Sequence, residues 1–237
     1  MSAPPTIDRP TAASLLGWWL DAGVDVATGD EARDWLRQVE RPVPPEPKKA
    51  AAPNLKAPAA ADLAALHSFL ATATGLPLER PGAPRILPVG DEDAELMIVA
   101  DLPGAVEAAE QRPLAGDSWL LAERMLAAIG MAPDKVYIAP LACFSMEGLR
   151  AEADDIARCG ELARDHVRLA KPGRLLIFGD SSARALTGQP LARARGKVHR
   201  IEGVRAVATF HPRWLLQRPS DKALAWRDLQ LLMSEDD

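Results

Sequence analysis

Four short apolar runs, each followed by turn residues, constrain the fold of this chain most strongly. They are ELMIVAD at 95–101, KVYIAPL at 135–141, RLLIFGD at 174–180 and VRAVATF at 204–210. Each run has the length and composition of a buried strand, and helical patterns separate the runs. Crossover helices between buried strands predict an α/β fold, with a mostly parallel sheet covered by helices on both faces.

The helices are predicted from apolar spacing and from the residues that stop a helix. One contains Leu63, Leu66 and Leu70, and a second has an apolar face from 121 to 129 that ends at Gly130. A third runs from about 156 to 170 and ends at a Lys-Pro-Gly stretch. Apolar residues that lie three, four or seven positions apart share one face of a helix.

The chain is predicted to have three parts. Residues 1–40 form an N-terminal helical segment, with Leu15, Trp18, Trp19 and Ala22 on one face and Gly23 as a stop. Residues 41–60 hold six prolines and six alanines, which predicts a semi-extended linker; an ordered strap along the domain is the alternative. Residues 61–237 form the main domain. The first segment is too short to fold alone and is expected to dock on this domain or on a partner.

Composition narrows the class of protein. No apolar run approaches the 18 or so residues of a membrane-spanning helix, and the N-terminus lacks a signal-peptide pattern, so we expect neither membrane insertion nor secretion. Two cysteines cannot form a disulfide framework. We therefore expect a cytoplasmic protein.

The predicted chemistry lies where the strands end. In parallel sheets ligands bind beyond the carboxyl ends of the strands, and Asp101 and His211 end the first and last strands. A carboxylate that positions water and an imidazole that opposes developing negative charge suit hydrolysis. The alternatives are a capping role for Asp101 and a structural role for His211.

The segment GDSSARALTG at 179–188 resembles a phosphate-binding loop that leads into a helix. It matches neither G-x-G-x-x-G nor the P-loop pattern. Binding of a nucleotide cofactor is therefore the weaker interpretation.

The charge is unevenly distributed. The formal net charge is −5, but residues 193–227 carry nine Lys and Arg against two acidic residues, which leaves −12 on the rest of the chain. A cationic segment around His211 is typical of an active site that faces a phosphate backbone. The alternative is a set of solvated helix and hairpin faces.

The order of these motifs resembles the family 4 uracil-DNA glycosylases and their superfamily over residues 61–233. The family's G-E-x-P-G, R-P-F-x-G and R-M-L-x-x-I-G motifs correspond to ADLPG, RPLAG and RMLAAIG, and its closing His-Pro loop corresponds to HPRWLL. The resemblance implies a three-layer α/β/α fold with a central four-stranded parallel sheet, and DNA as the partner of a monomer.

The resemblance also implies roles for individual residues. Asp101 would orient or activate the attacking water, and His211 would stabilise negative charge on the departing base. Leu215 or Leu216 would hold the extruded nucleotide out of the base stack. Further implied contacts with DNA come from a cationic set, namely Arg195, Lys197, Arg200, Arg213 and Arg218.

The base pocket departs from the family pattern. Pro103 and Gly104 match substrate-binding positions, but Leu114 stands where relatives carry a stacking aromatic residue. Pro140 stands where relatives carry an asparagine that reads uracil, and proline has no polar side-chain group. Phe144 or Trp119 could replace the stacking surface, with core packing as the alternative role.

Many family 4 members hold a four-iron, four-sulfur cluster through four cysteines. The stretch 70–78 has none, and Cys143 and Cys159 are too few for such a site. We predict no cluster, no metal and no small-molecule cofactor, with both cysteines as free thiols.

Three functions remain open. The first is a monofunctional DNA glycosylase acting on uracil or another deaminated base, in base excision repair. The second is a weak or inactive DNA-binding protein of the same fold. The third is a hydrolase or nucleotide-binding protein that shares only the architecture.

Overall fold

A computed structural model describes residues 8–22, 62–147 and 151–234. The N-terminal helix α1 lies in a separate unit from all the other elements. Asp8 caps this helix, since its carboxylate accepts from the Thr11 amide at 3.0 Å. The linker 41–60 and Trp35 lie outside the described residues, and the docking of the N-terminal segment stays a prediction.

The described elements follow the predicted alternation of strands and helices. The strands are β1 (Val89–Gly90), β2 (Leu96–Ala100), β3 (Val136–Pro140), β4 (Arg174–Phe178), β5 (Val198–Ile201) and β6 (Val204–Thr209). The helices are α1 (Arg9–Asp21), α2 (Leu63–Thr72), α3 (Ala105–Glu110), α4 (Gly116–Ala128), α5 (Ala153–Ala170), α6 (Asp180–Thr187), α7 (Leu191–Ala194), α8 (Pro212–Gln217) and α9 (Lys222–Met233), with 3-10 turns at Pro133–Lys135 and Pro219–Asp221.

The six described strands form one sheet in the order β1-β3-β2-β4-β6-β5. The four predicted strands, β3, β2, β4 and β6, are its parallel centre. Because these strands are parallel, the segments that follow β2, β4 and β6 emerge at the same edge of the sheet. This edge carries Asp101, Gly179 and the His211 loop.

The prediction of four strands is wrong in number, because two antiparallel edge strands extend the sheet. Strand β1 is only two residues long and pairs with β3. Strand β5 pairs with β6 across a tight turn, in which Glu202 and Gly203 have φ values of 49° and 83°. Two consecutive positive φ values are typical of a type I′ hairpin turn, which favours a glycine.

Both faces of the sheet are covered, which gives three layers. One face carries Met97, Val99, Leu175 and Ile177, which pack against the buried residues of α5, α6 and α7. The opposite face carries alternate strand residues that pack against α4 and α9, among them Leu96, Ile98, Leu176, Phe178 and Val207. Alternate side chains of a strand point to opposite faces, so a doubly covered sheet needs apolar residues at consecutive positions.

No helix among residues 8–22, 62–147 and 151–234 is long and apolar enough to cross a membrane.

Candidate active site

A cavity of about 550 Å³ opens at the carboxyl ends of β2, β4 and β6. Its lining includes the two residues predicted to carry the chemistry, together with aromatic and cationic side chains: Asp101, His211, Arg195, Phe210, Arg213 and Trp214. The topology therefore brings the carboxylate and the imidazole to one cavity, although 110 positions separate them in the sequence.

Asp101 follows β2, and neighbouring donors fix its carboxylate. The Leu102 amide donates to Oδ1 at 2.9 Å, and the Ser181 hydroxyl and the Ser182 amide at the start of α6 donate as well. Burial raises the pKa of this carboxyl above its ordinary value, and these donors and the Arg213 guanidinium oppose that rise. An anchored carboxylate with a raised pKa is a better proton acceptor than a free one.

Gly179 makes room for this carboxylate. It follows β4 and precedes α6 with φ +91°, a conformation that favours glycine, and a Cβ at this position would overlap the Asp101 carboxylate. Gly179 lies in the segment that resembles a phosphate loop, and the structure shows that its backbone approaches the Asp101 carboxylate closely instead.

His211 is buried and precedes α8. Its Nδ1 accepts a hydrogen bond from the Arg213 amide at 3.1 Å, and its ring meets Phe178 edge to face with centroids 6.0 Å apart. Burial, with a smaller contribution from the Arg213 guanidinium, lowers the pKa of this histidine to about 3. The ring is therefore neutral near pH 7, and because Nδ1 is an acceptor, the proton lies on Nε2.

Arg213 joins the His211 loop to the ADLPG motif and to Glu107 of the helix that follows it. The buried Glu107 accepts from the Gly104 amide at 2.9 Å and from Arg213 Nη1 at 3.4 Å, while Arg213 Nη2 contacts the Leu102 carbonyl at 3.3 Å. A Cβ on Gly104 would lie 2.9 Å from Arg213 Nη1. Pro103 is buried beside it, and its carbonyl accepts from the Met146 amide at 2.9 Å.

One side of the cavity is an aromatic wall, defined here as Phe210 and Trp214. The two rings are nearly parallel, at 9°, with centroids 6.3 Å apart. The Arg195 guanidinium lies 4.8 Å from the centroid of Phe210, and the Arg218 guanidinium lies 4.8 Å from that of Trp214. These are cation–π contacts, in which the negative face of the ring attracts the guanidinium. Both arginines are among the residues predicted to contact DNA, whereas the aromatic pair was not predicted from the sequence.

The four residues considered for base recognition do not line this cavity. Leu114 is buried in the core between the sheet and α4, and Pro140 ends β3 within the sheet. Phe144 packs in a satellite core with Leu66, Leu70, Leu76 and Cys143. Trp119 lies on α4 and is partly buried against the core between this helix and the sheet. The Arg112 guanidinium lies 5.2 Å from the centroid of its ring.

The remaining predicted DNA contacts differ in exposure. Lys197, Arg200 and Arg218 are exposed, whereas Leu215 is buried against α4 and α9. Leu216 is 43% exposed, so it is the leucine of this pair that is accessible to a ligand.

The cysteine positions do not fit a four-iron cluster. Cys143 and Cys159 line a cavity of only about 20 Å³, and Cys143 packs with Leu70 and Leu76 of the stretch that lacks cysteine. Burial raises the pKa of both thiols to about 12, which favours the neutral form over the thiolate that binds iron. Among the described residues, no group of three or more His, Cys, Asp or Glu could hold a metal ion. The absence of a cofactor stays a prediction.

Comparison with known proteins identifies the family. A profile of the uracil DNA glycosylase superfamily matches residues 87–230, which hold both Asp101 and His211. The chain belongs to this superfamily. The match confirms the resemblance that the sequence motifs indicated.

Two superfamily relatives are named type-4 uracil-DNA glycosylases. The protein from Archaeoglobus fulgidus is 28% identical over 55% of this chain and 71% of its own length. The protein from Pyrobaculum aerophilum is 25% identical over 72% of this chain and 92% of its own. At this distance the superfamily member described here is a divergent, family 4-like protein.

A third relative is larger. The DNA polymerase of Bacillus phage SP01 is 25% identical over 61% of this chain, and the matching segment makes up 16% of that polymerase.

Proposed function

We propose that this protein is a DNA glycosylase that hydrolyses the N-glycosidic bond of uracil or another deaminated base in DNA. The observation that carries the proposal is the presence of Asp101 and His211 in the lining of one cavity at the sheet edge. The names of the type-4 relatives support the reaction class. DNA is then the partner, and we propose that the protein acts as a monomer in the cytoplasm.

Asp101 acts on the attacking water. The bond between the sugar C1′ and the base nitrogen breaks through an oxocarbenium-like sugar, which a nearby carboxylate stabilises. Water then adds to C1′ and passes a proton to Asp101, whose raised pKa suits this role. The anchoring bonds from Leu102, Ser181 and Ser182 keep the carboxylate in one orientation.

His211 acts on the departing base. The electron pair of the broken bond remains on the base, which leaves as an anion with its charge shared between ring nitrogens and exocyclic carbonyl oxygens. Because the Arg213 amide fixes Nδ1 as an acceptor, His211 presents Nε2–H as a donor. A neutral donor held in a buried site stabilises such an anion and needs no prior protonation at pH 7. The anion later takes its proton from solvent.

Around the cavity, the exposed cations Lys197, Arg200 and Arg218 support a contact with the DNA backbone. Leu216 is the exposed apolar side chain beside them and is suited to fill the gap left by an extruded base.

A DNA-binding protein without catalysis is the second candidate. Leu114 lies in the core and Pro140 lies in the sheet, so neither supplies the stacking ring or the amide of the family pattern. This observation favours a lost or altered base pocket.

Excision from labelled duplexes separates the two candidates. The duplexes carry one uracil, hypoxanthine or xanthine, and alkali reveals abasic sites as strand breaks. The glycosylase predicts breaks that Asp101→Asn and His211→Gln both reduce by at least about a hundredfold. The partly exposed carboxylate Asp165, which pairs with Arg168, provides the control Asp165→Asn, which should keep full activity. Salt-sensitive DNA binding without breaks on any substrate would support the second candidate.

A further inference from the structure

Two cations, Arg195 and Arg213, line the active-site cavity in the part of the chain that the structure describes, and they are held differently. Arg195 donates to the buried Asp228 at 2.9 and 3.2 Å and lies over the ring of Phe210. Its side chain is only 17% exposed. Arg213 lies two residues after His211, and its side chain is 39% exposed. Arg213 is therefore the more accessible of the two cations to a ligand in the cavity.

Two long contacts orient the Arg213 guanidinium. Its Nη1 lies 3.4 Å from Glu107 Oε2, and its Nη2 lies 3.3 Å from the Leu102 carbonyl oxygen. Both distances exceed the usual N–H···O range of roughly 2.7–3.2 Å, whereas the Gly104 amide donates to the same Glu107 oxygen at 2.9 Å. The contacts of the guanidinium are therefore weak enough for a stronger acceptor to replace one of them.

The charge of Arg213 acts on both residues assigned to the reaction. Burial raises the pKa of Asp101, and the guanidinium opposes that rise. Burial lowers the pKa of His211, and the guanidinium lowers it further. An effect on both groups requires a cation close to each of them, because Coulombic interactions weaken with distance. The guanidinium is therefore close enough to act on a charge that develops between Asp101 and His211.

The proposed reaction brings two negative charges into this cavity, namely the Asp101 carboxylate and the departing base. His211 opposes them with one neutral N–H donor. Pro140, at the position where relatives carry an asparagine, has no polar side-chain group. A hydrogen bond from a cation is roughly twice as strong as one between neutral groups. A guanidinium donor therefore stabilises the base anion more than a second neutral donor would.

We propose that Arg213 is a further catalytic residue, whose guanidinium donates to the departing base and offsets its negative charge. The inference rests on the proposed function, since it needs a base that leaves as an anion. As the glycosidic bond breaks and its electron pair passes to the base, an N–H group of Arg213 moves from the Leu102 carbonyl to a carbonyl oxygen of the base. Arg213 keeps its protons throughout. The sequence resemblance instead implies a contact between Arg213 and DNA.

The test compares two leaving groups in single-turnover excision at saturating protein. Duplexes carry either uracil or 5-fluorouracil, in which the electron-withdrawing fluorine stabilises the departing anion. The variants are Arg213→Gln, which removes the charge, and Arg213→Lys, which keeps it. Arg168→Gln is the matched control, because Arg168 is 48% exposed, forms an ion pair with Asp165 and lies outside the lining of the cavity.

The proposal predicts that Arg213→Gln slows the release of uracil at least about tenfold and that of 5-fluorouracil less than about threefold, because the more stable anion needs less help. Arg213→Lys recovers most of the uracil rate, and Arg168→Gln changes neither rate. The acid limb of the kcat/KM profile moves to higher pH in Arg213→Gln, since the pKa of Asp101 rises when the cation is removed.

Three results would overturn the proposal: an equal loss on both duplexes, no loss on either, or a loss confined to DNA affinity with a weaker salt dependence. The last result would assign Arg213 to a DNA phosphate. Thermal melts check that each variant is folded, and Arg213→Met replaces Arg213→Gln if the latter does not fold.

Excision by the wild-type protein distinguishes failure of this inference from failure of the proposed function. Wild-type release of uracil that Arg213→Gln leaves unchanged would overturn the role of Arg213 and leave the glycosylase intact. A wild-type protein that releases neither base would refute the glycosylase and the role of Arg213 with it.

Discussion

Replacing Gly179 with alanine should damage both the stability and the activity of this protein. The residue has φ +91°, and a Cβ there would overlap the Asp101 carboxylate. Two costs follow from the substitution. An L-residue in this region carries strain of about 1–2 kcal/mol, and the displaced carboxylate loses hydrogen bonds that are worth roughly 1.5–3 kcal/mol each when the acceptor is charged.

Together these costs predict that Gly179→Ala lowers the free energy of unfolding by about 3–5 kcal/mol. Since misplacing a reacting group by about 1 Å can cost roughly a hundredfold in rate, excision should fall by at least that factor. Gly188→Ala is the matched control at the other end of α6. Gly188 has φ +71° with no atom within 4 Å of a Cβ, so only the backbone strain applies.

Urea unfolding and single-turnover excision should be measured on both variants. The structure predicts that Gly188→Ala loses only about 1–2 kcal/mol and keeps its activity. If Gly179→Ala were no less stable than Gly188→Ala and equally active, the close approach of the carboxylate to the Gly179 backbone would not matter, and the reasoning would be refuted.

Three further predictions concern proton binding and DNA contact. Ser181→Ala removes a donor that lowers the pKa of Asp101, so the acid limb of the kcat/KM profile should move to higher pH, whereas an unmoved limb would exclude the contact. His166 is buried with its pKa lowered to about 3, so the free energy of unfolding should fall as pH drops from about 6.5 toward 3, by up to about 1.4 kcal/mol per unit. The pKa of His211 is also lowered to about 3, so His211 contributes to the same slope. His166→Phe should therefore reduce the slope in urea titrations without abolishing it, and an unchanged slope would assign it to other groups. Leu216→Ala should reduce excision from duplex more than from single-stranded DNA, while the exposed control Leu120→Ala should alter neither.

The parallel centre of the sheet could be predicted because its strands are buried on both faces. The sequences of such strands are continuous apolar runs. Strands β2, β3, β4 and β6 all lie within the predicted runs. The edge strands were missed for physical reasons. Strand β1 has two residues, and β5 (VHRI) is half exposed and depends on the turn at Glu202 and Gly203, which carries no Asn-Gly signal.

The sequence also predicted that Asp101 and His211 would meet at one edge, because the topology of parallel strands requires it. The tautomer of His211 was beyond prediction, since it depends on the local turn that aims the Arg213 amide at Nδ1. The aromatic wall was missed because Phe210 is held through Arg195 by Asp228, on a helix later in the chain. Phe210 and Trp214 are four residues apart, but Phe210 precedes α8, so a helical spacing rule did not identify their contact.

The release of free base under single-turnover conditions tests the central claim most directly. Excess protein is mixed with a duplex that carries one radiolabelled deaminated base, and the free base is separated by chromatography. We predict that wild-type protein releases one base per duplex and leaves an abasic strand that breaks only in alkali, and that Asp101→Asn slows this release at least a hundredfold. Release at the wild-type rate by Asp101→Asn would contradict the assignment of this cavity as the active site.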